Sequence, residues 1–372
     1  MPAAPPIPRA PGPPPGQAVR TPAPAPTATP ARRPAPPPSG TVPVVAATVL
    51  FVSVVGVMAE LGWIAGSRGL TLADLGDRAL SLFDGLGASA QRLAASLGGD
   101  VWAGWKEVVL NPWYWAFLAV LCVLQWRFPA RRELPTVSVG LGQDLVWFLT
   151  STLLSVTVVA AWLAVLDVAW VGALGGWSLD LRDELGRWGL PLLALVVADL
   201  MGWLSHYLHH KVRPLWYFHA VHHSQEEMNI LSDSRQHVIE TMITATLVFV
   251  PARALGLDAP AASALAFLGV YVGAFIHANI RTNLGPARFL VISPQAHRVH
   301  HSAAAEHIDT NFGVIFAFWD YLFGTRYHDD DEYPTTGIHD RSFPLEQRAN
   351  PLALAGSWLR QNAYPFRRLA ER

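Results

Sequence analysis

The stretch WGLPLLALVVADLMGWLSHYLHHKVRPLWYFHAVHHS, residues 188–224, decides how the chain is read. From Trp188 to Ser205 its only charge is Asp199, and a run of that length as a helix approaches the roughly 30 Å of a hydrocarbon core. At about 100° per residue, Asp199, Trp203, His206 and His210 fall near 0°, 40°, −20° and 20°, a single stripe at the end of the apolar helix. An acidic residue in such a helix is costly and faces the protein interior with a partner. Hydrogen-bonding the free nitrogen of a metal-binding imidazole gives Asp199 one such partner; an Arg or Lys at the membrane boundary is the other candidate.

Working outward, the chain repeats this apolar character. Uncharged runs occupy Thr41 to Ala59, Val108 to Trp126 and Leu145 to Leu166, and the runs Thr241 to Ala252 and Ala259 to Ile276 suit the two arms of a helical hairpin. Of 372 residues 51% are hydrophobic and 15% charged, well below the roughly 25% charge of soluble domains, which argues against a soluble globular protein. The net charge of −1 excludes a nucleic-acid binder working through phosphate contacts. A single cysteine, Cys122, excludes a disulfide scaffold or a CxxC metal site. The first forty residues hold 16 of the 30 prolines and no acidic residue, the composition of a disordered tail.

The charges between the apolar runs orient them. The tail carries only arginines (Arg9, Arg20, Arg32, Arg33), and residues 127–144 carry Arg127, Arg131 and Arg132 against Glu133 and Asp144. Residues 167–187 carry Asp167, Asp180, Asp183 and Glu184 against Arg182 and Arg187. The positive-inside rule puts the first two segments in the cytosol and delivers the end of the fourth span to that side near His206. The expected fold is an all-α integral-membrane helical bundle of four spans plus a helical hairpin, multi-pass, with a cytosolic histidine-rich helical cap. The expected organisation is a Pro-rich tail (1–40), an N-terminal transmembrane region (41–187), a catalytic domain (188–328) and a polar C-terminal tail (329–372).

All fourteen histidines lie between His206 and His339. Eight form three clusters: His206 with His210; His219 with His222 and His223; and His297 with His300 and His301. Residues three or four apart share a helix face, so each cluster aims imidazoles at one point, and neutral imidazole suits iron, zinc, copper or nickel. Adjacent histidines point about 100° apart and suit two ions side by side. Eight ligands exceed the four to six of one transition-metal ion, so the arithmetic favours a dinuclear site. Ser293-Pro294 reads as an N-cap and first helical residue ahead of the third cluster. His209 reads as interfacial, and His307, His328 and His339 as surface histidines.

At these residues the chain resembles the fatty acid hydroxylase/sterol desaturase superfamily of membrane histidine-box di-iron oxygenases, over roughly Val196 to Thr325. Asp199, Trp203, His206 and His210 resemble the first box; residues 215–224, LWYFHAVHHS, resemble the second; and residues 297–302, HRVHHS, the third. Arg235-Gln236-His237-Val238-Ile239-Glu240 is similar to the R-x-H-x-x-E element, Phe275-Ile276-His277-Ala278-Asn279 to F-x-H-x-N, and Asp309-x-Asn311-Phe312-Gly313 with Trp319-Asp320 to the closing elements. Two departures stand out: Tyr207 occupies a place where members often carry Arg, and there is no HPGG signature of a fused cytochrome b5 domain.

The resemblance implies two iron ions held by His206, His210, His219, His222, His223, His297, His300 and His301, with His237 and His277 in addition. It implies dioxygen as co-substrate, and hydroxylation or desaturation of a fatty acyl or sterol-like C–H bond in lipid biosynthesis. No catalytic side chain is needed beyond the metal ligands. Asp199, Glu240, Asp309 and Asp320 are expected to orient the rings, and Trp203 and Phe275 to contact the membrane lipid substrate. Electrons would come from a separate cytochrome b5-like or ferredoxin-like donor. Two other classes compete: a histidine-rich metal transporter, which would place its ligands near mid-bilayer, and a bis-histidine haem electron-transfer protein, against which the histidine-free first spans weigh.

Overall fold

The computed structural model describes residues 105–371 apart from 107–108, 180 and 257–258. The Pro-rich tail and the expected span at Thr41 to Ala59 lie outside the described residues. Those described are helical, with three isolated β-bridges and no strand.

Helix α1 (Pro112–Arg127) starts where Asn111 Oδ1 accepts from the amides of Trp113 and Tyr114 at 2.9 and 3.1 Å, with proline in the first turn, so it is shorter than its uncharged run. Helix α2 (Val139–Leu154), capped by Ser138, runs through a π-helical turn (Ser155–Val159) into α3 (Ala160–Leu174), which ends at Gly175 with φ 62°. Helix α4 (Arg182–Lys211) bends at Gly186, and α5 (Arg213–His223) follows after one residue, Val212. Then come α6 (Val238–Ala254), α7 (Ala259–His277), α8 (Pro294–His300), α9 (Phe318–Phe323) and α10 (Pro351–Ala370). Ser293 Oγ accepts from the Ala296 amide at 3.1 Å, the cap that Ser-Pro announces.

Among the described residues two helices are long and apolar enough to cross a membrane, Val139–Leu174 and Gly189–Lys211. The first contains the expected span at Leu145 to Leu166, and the second covers that at Trp188 to Ser205 apart from Trp188 itself. The second has 23 residues, about 34 Å at 1.5 Å per residue. Leu145, Leu149 and Leu153 point outward and are exposed. Helix α4 packs against α6 and α5. Polar links join the helices: Ser205 Oγ and Thr244 Oγ1 stand 2.7 Å apart, Trp162 Nε1 donates to Thr246 Oγ1, and Arg253 pairs with Asp167 at 2.8 Å.

The start of α2 is held by charge. Asp144 and Arg235 are both fully buried; Arg235 Nε donates to Asp144 Oδ1 at 2.8 Å and Nη2 to Glu346 Oε1 at 2.6 Å. Asn229 Nδ2 and Ser232 Oγ, each at 2.8 Å, and Gln225 satisfy the other Asp144 oxygen. Arg235 thereby ties α2 to the segment after α9 and, through Ser224 Oγ at 3.3 Å, to the end of α5. Residues 329–371, whose composition reads as a polar tail, carry α10 packed on α5 and α2.

Removing one partner of a buried ion pair leaves an uncompensated charge, whereas an exposed pair contributes little. Asp144→Ala is therefore expected to cost about 3 kcal/mol and Glu133→Ala, paired to Arg131 at the surface, far less. Denaturant unfolding of the detergent-solubilised protein measures both; equal effects overturn the assignment of Asp144 as an anchor.

Candidate metal centre

Nine histidines converge on one volume between the ends of α4 and α7 and the short helices α5 and α8. His206, His210, His219, His223 and His300 form one group, and His222, His277, His297 and His301 a second, the ligand nitrogens of each lying within 4.8 Å of one another. The adjacent pairs are split: His222 and His223 face different groups, as do His300 and His301. The groups are neighbours, with the rings of His223 and His301 stacked 4.3 Å apart.

The outer nitrogens explain the inner ones. His206 Nδ1 donates to the Phe312 carbonyl at 2.9 Å, His300 Nδ1 to Thr310 O at 2.7 Å, His277 Nδ1 to Gly273 O at 2.8 Å and His219 Nδ1 to Glu240 Oε1 at 2.7 Å. These oxygens can only accept, so in the neutral rings each Nε2 is a lone pair aimed inward. His223 Nε2 lies 3.0–3.1 Å from the Nε2 atoms of His210, His219 and His300. His277 Nε2 lies 3.0 Å from that of His297 and 3.2 Å from that of His222. One ring nitrogen cannot satisfy several such neighbours by hydrogen bonding, and His206 Nε2 is buried with no partner at all. Donors about 2.1 Å from a shared ion stand about 3.0 Å apart at right angles, so the residues fit a metal ion in each group.

Two buried acids, Asp199 and Asp320, act at one remove. Asp199 accepts from the amides of Ile315 and Phe316 at 2.8 and 3.0 Å and from Trp319 Nε1 at 2.9 Å. Asp320 accepts from the amides of Phe312 and Gly313, both at 2.9 Å, and from Trp203 Nε1 at 3.0 Å. Neither meets an imidazole, because both are occupied holding the loop whose carbonyls at Thr310 and Phe312 fix His300 and His206. Asn311, at φ 57° and fully buried, locks the same loop, donating to Ala296 O at 2.9 Å and accepting from Arg326 and the Tyr327 amide. Gly313 lies so close to Ile292 and the Phe316 carbonyl that a Cβ would stand 2.6–2.8 Å from them. Asp309 stands 3.6 Å from His210 Nδ1 and pairs with Lys211.

Several residues fall elsewhere than the sequence suggested. His237 stands apart from both groups: it caps α6, accepting from the Ile239 amide, and its Nε2 reaches Asn362 O at 3.3 Å. His209 and His307 are buried rather than interfacial or at the surface, His209 donating to Ser205 O and His307 packing on Tyr327. His328 and His339 are exposed. Trp203 stacks between Tyr207 and Phe323 in a core cluster, and Phe275 is part of the packing around α7. Tyr207 also packs on Phe312, so an aromatic ring takes the place where the family often has Arg. Asp233, 3.7 Å from His277 Nδ1, carried no signal in the sequence. A cavity of about 320 Å³ opens onto the first group at His210, His223 and His300, walled by Trp216, Ile308 and Ile338, with neither Trp203 nor Phe275 in its lining.

Residues 191–325 match the family model described as fatty acid hydroxylase. Over that stretch the chain is similar to the fatty acid hydroxylases. An ornithine lipid hydroxylase of Rhizobium tropici is 31% identical over 169 residues, 44% of this chain and 51% of the relative. The alkylglycerol monooxygenase of Homo sapiens is 31% identical over 132 residues, 36% of this chain and 29% of the relative, and that of Danio rerio 29% identical over 150 residues, 40% and 32%. The chain thus spans about half the length of the first and about a third of the others. No solved structure matches the chain significantly. All nine converging histidines, but not Asp144, Glu346 or α10, lie within the fatty acid hydroxylase match.

Burial holds the imidazoles of His222, His223, His297 and His301 neutral well below the usual histidine range, with the neighbouring rings adding to it, and draws His300 down to about 3. Between about pH 3 and the ordinary 6.5 the unfolded chain therefore binds protons that the folded one refuses, and the metal-free protein loses stability as pH falls through that window. A thermal midpoint of the metal-free protein unchanged between pH 7 and pH 5 contradicts this. Metal analysis separates the histidines: His277→Ala is expected to lose metal from the second group, and His237→Ala to keep the wild-type content.

Proposed function

We propose that the chain is an integral-membrane, O2-dependent non-haem di-iron hydroxylase of a lipid. The observation that carries the reading is the pair of imidazole groups, five and four histidines, with inward lone pairs fixed by outer hydrogen bonds. The first iron would be held by His206, His210, His219, His223 and His300, the second by His222, His277, His297 and His301. Two iron ions bound there supply the open coordination positions and redox capacity that activate dioxygen toward an unactivated C–H bond. The overall balance is one C–H bond and O2, with two electrons and two protons, giving one alcohol and one water. Hydroxylation rather than desaturation is favoured because the relatives are named as a hydroxylase and monooxygenases.

The protein's own part is positioning. Glu240 keeps the proton on His219 Nδ1, and the Phe312 and Thr310 carbonyls do the same for His206 and His300. Trp216, Ile308 and Ile338 give the cavity beside the first group an apolar wall where a lipid C–H bond can face the histidines with little water. Apolar walls discriminate chain length by only about 1–3 kcal/mol per methylene, so selectivity for one lipid must come from polar groups at the rim. The topology we propose has four spans and a hairpin, the histidine cap on the cytosolic side and residues 188–328 as the catalytic unit, fed by a separate cytochrome b5-like or ferredoxin-like donor.

The deciding experiment is metal content of the detergent-purified protein with Mössbauer spectroscopy after iron-57 labelling, followed by turnover of a membrane lipid extract under 18O2. About two irons per chain, a coupled-pair signal and one labelled oxygen in a lipid product are expected. Zinc alone under iron-replete expression overturns the reading. His222→Ala and His300→Ala are expected to abolish turnover in membrane-inserted protein, whereas His328→Ala keeps it; wild-type turnover by His222→Ala with full metal removes that residue from the ligand set.

A further inference from the structure

Helix α10 carries apolar residues on both sides. The side packed against the protein sets Leu354, Trp358 and Tyr364 among polar groups. Gln361, fully buried, accepts from Trp147 Nε1 at 2.9 Å and donates to Glu346 at 3.0 Å; Tyr364 donates to Asp340 at 2.8 Å; and the Asn362 carbonyl receives His237. The outward side carries Leu352, Leu359 and Phe366, spaced by seven residues and so within about 20° of each other per step; they are 87%, 62% and 50% exposed. Ala355 and Ala363 lie exposed along the same side. No acidic residue occurs between Asn350 and Ala370, while Arg360 and Arg367 flank the stripe. Among the described residues neither has a carboxylate partner: Arg360 donates to Ser357 Oγ and Arg367 to the Arg360 carbonyl.

We propose that α10 lies on the bilayer surface, its leucine and phenylalanine stripe sunk to headgroup depth and Arg360 and Arg367 set against anionic lipid phosphates. This rests on reading Val139–Leu174 as a span. Trp147, the residue Gln361 binds, lies eight residues after Val139, about 12 Å into the apolar helix at 1.5 Å per residue, on the buried face opposite Leu145 and Leu149, so α10 packs beside the start of that span. An apolar stripe with arginine flanks and low overall hydrophobicity is the composition of helices that lie in the interface. Each arginine near an anionic leaflet adds attraction that neutral lipid does not provide. Because α10 is bonded to Trp147, Glu346 and His237, its depth also fixes how far the histidine cap stands from the membrane.

Spin labels test this in the full-length protein reconstituted in vesicles of phosphatidylcholine with or without phosphatidylglycerol. In a Cys122→Ser background, labels at Leu359→Cys and Phe366→Cys are expected to favour collision with oxygen over a water-soluble nickel chelate, at a depth of about 5–10 Å. A label at Val165→Cys in α3 reports the span, and one at exposed Arg341→Cys reports water. If positions 359 and 366 behave like 341 while 165 is deep, the α10 proposal is overturned and the span stands. If 165 is also in water, the membrane reading itself falls. Adding phosphatidylglycerol is expected to deepen the label at 366, and Arg360→Gln with Arg367→Gln to abolish that shift; equal depth in both lipids overturns the anionic contact.

Discussion

The structure depends on keeping many imidazoles neutral and pointing the same nitrogen inward. Four outer ring nitrogens are spent on oxygens that can only accept, three backbone carbonyls and the Glu240 carboxylate. With those protons fixed, the inner nitrogens present lone pairs to one another at about van der Waals distance, an arrangement that a cation stabilises and that protonation would destroy. Much of the remaining architecture serves that condition. Asp199 and Asp320 hold a loop so that its carbonyls are in place; Asn311 takes a left-handed conformation to turn it; and Gly313 leaves room for Ile292 beneath it.

A second buried charge system frames the first. Arg235 joins Asp144 near the start of α2 to Glu346 ahead of α10, and its Nη1 touches Ser224, the residue after His223. These partners come from three regions of the chain, two of them outside the fatty acid hydroxylase match. The flanking segments are therefore part of the frame that holds the histidine helices, because neither carboxylate can leave without stranding a buried guanidinium.

What was legible in the sequence follows from range. Spacing along a helix is local, so the stripe from Asp199 to His210 and the division of His222 from His223 were readable at about 100° per residue. The same local logic placed the cap at Ser293. Contacts across long separations were not readable. Nothing local distinguishes His277, which joins the second group, from His237, which caps a helix; both sit in family-like motifs. Asp199 was expected to meet an imidazole because it shares a stripe with two, yet amides 116 and 117 residues away claim it. Asp144 counted as a loop charge, and the hydrophilic composition of residues 329–372 hid a helix that packs Leu354, Gln361 and Tyr364 inward.

The splitting of His222 from His223 and of His300 from His301 has a consequence for assembly. Each helix contributes to both groups through a single peptide link, so the separation of the two sites is set by backbone geometry and cannot relax one site at a time. A metal ion held by either group would fix α5 and α8 and so lessen the ordering entropy lost by ligands in the other. A change that displaces one group would therefore be felt in the other without touching a ligand there.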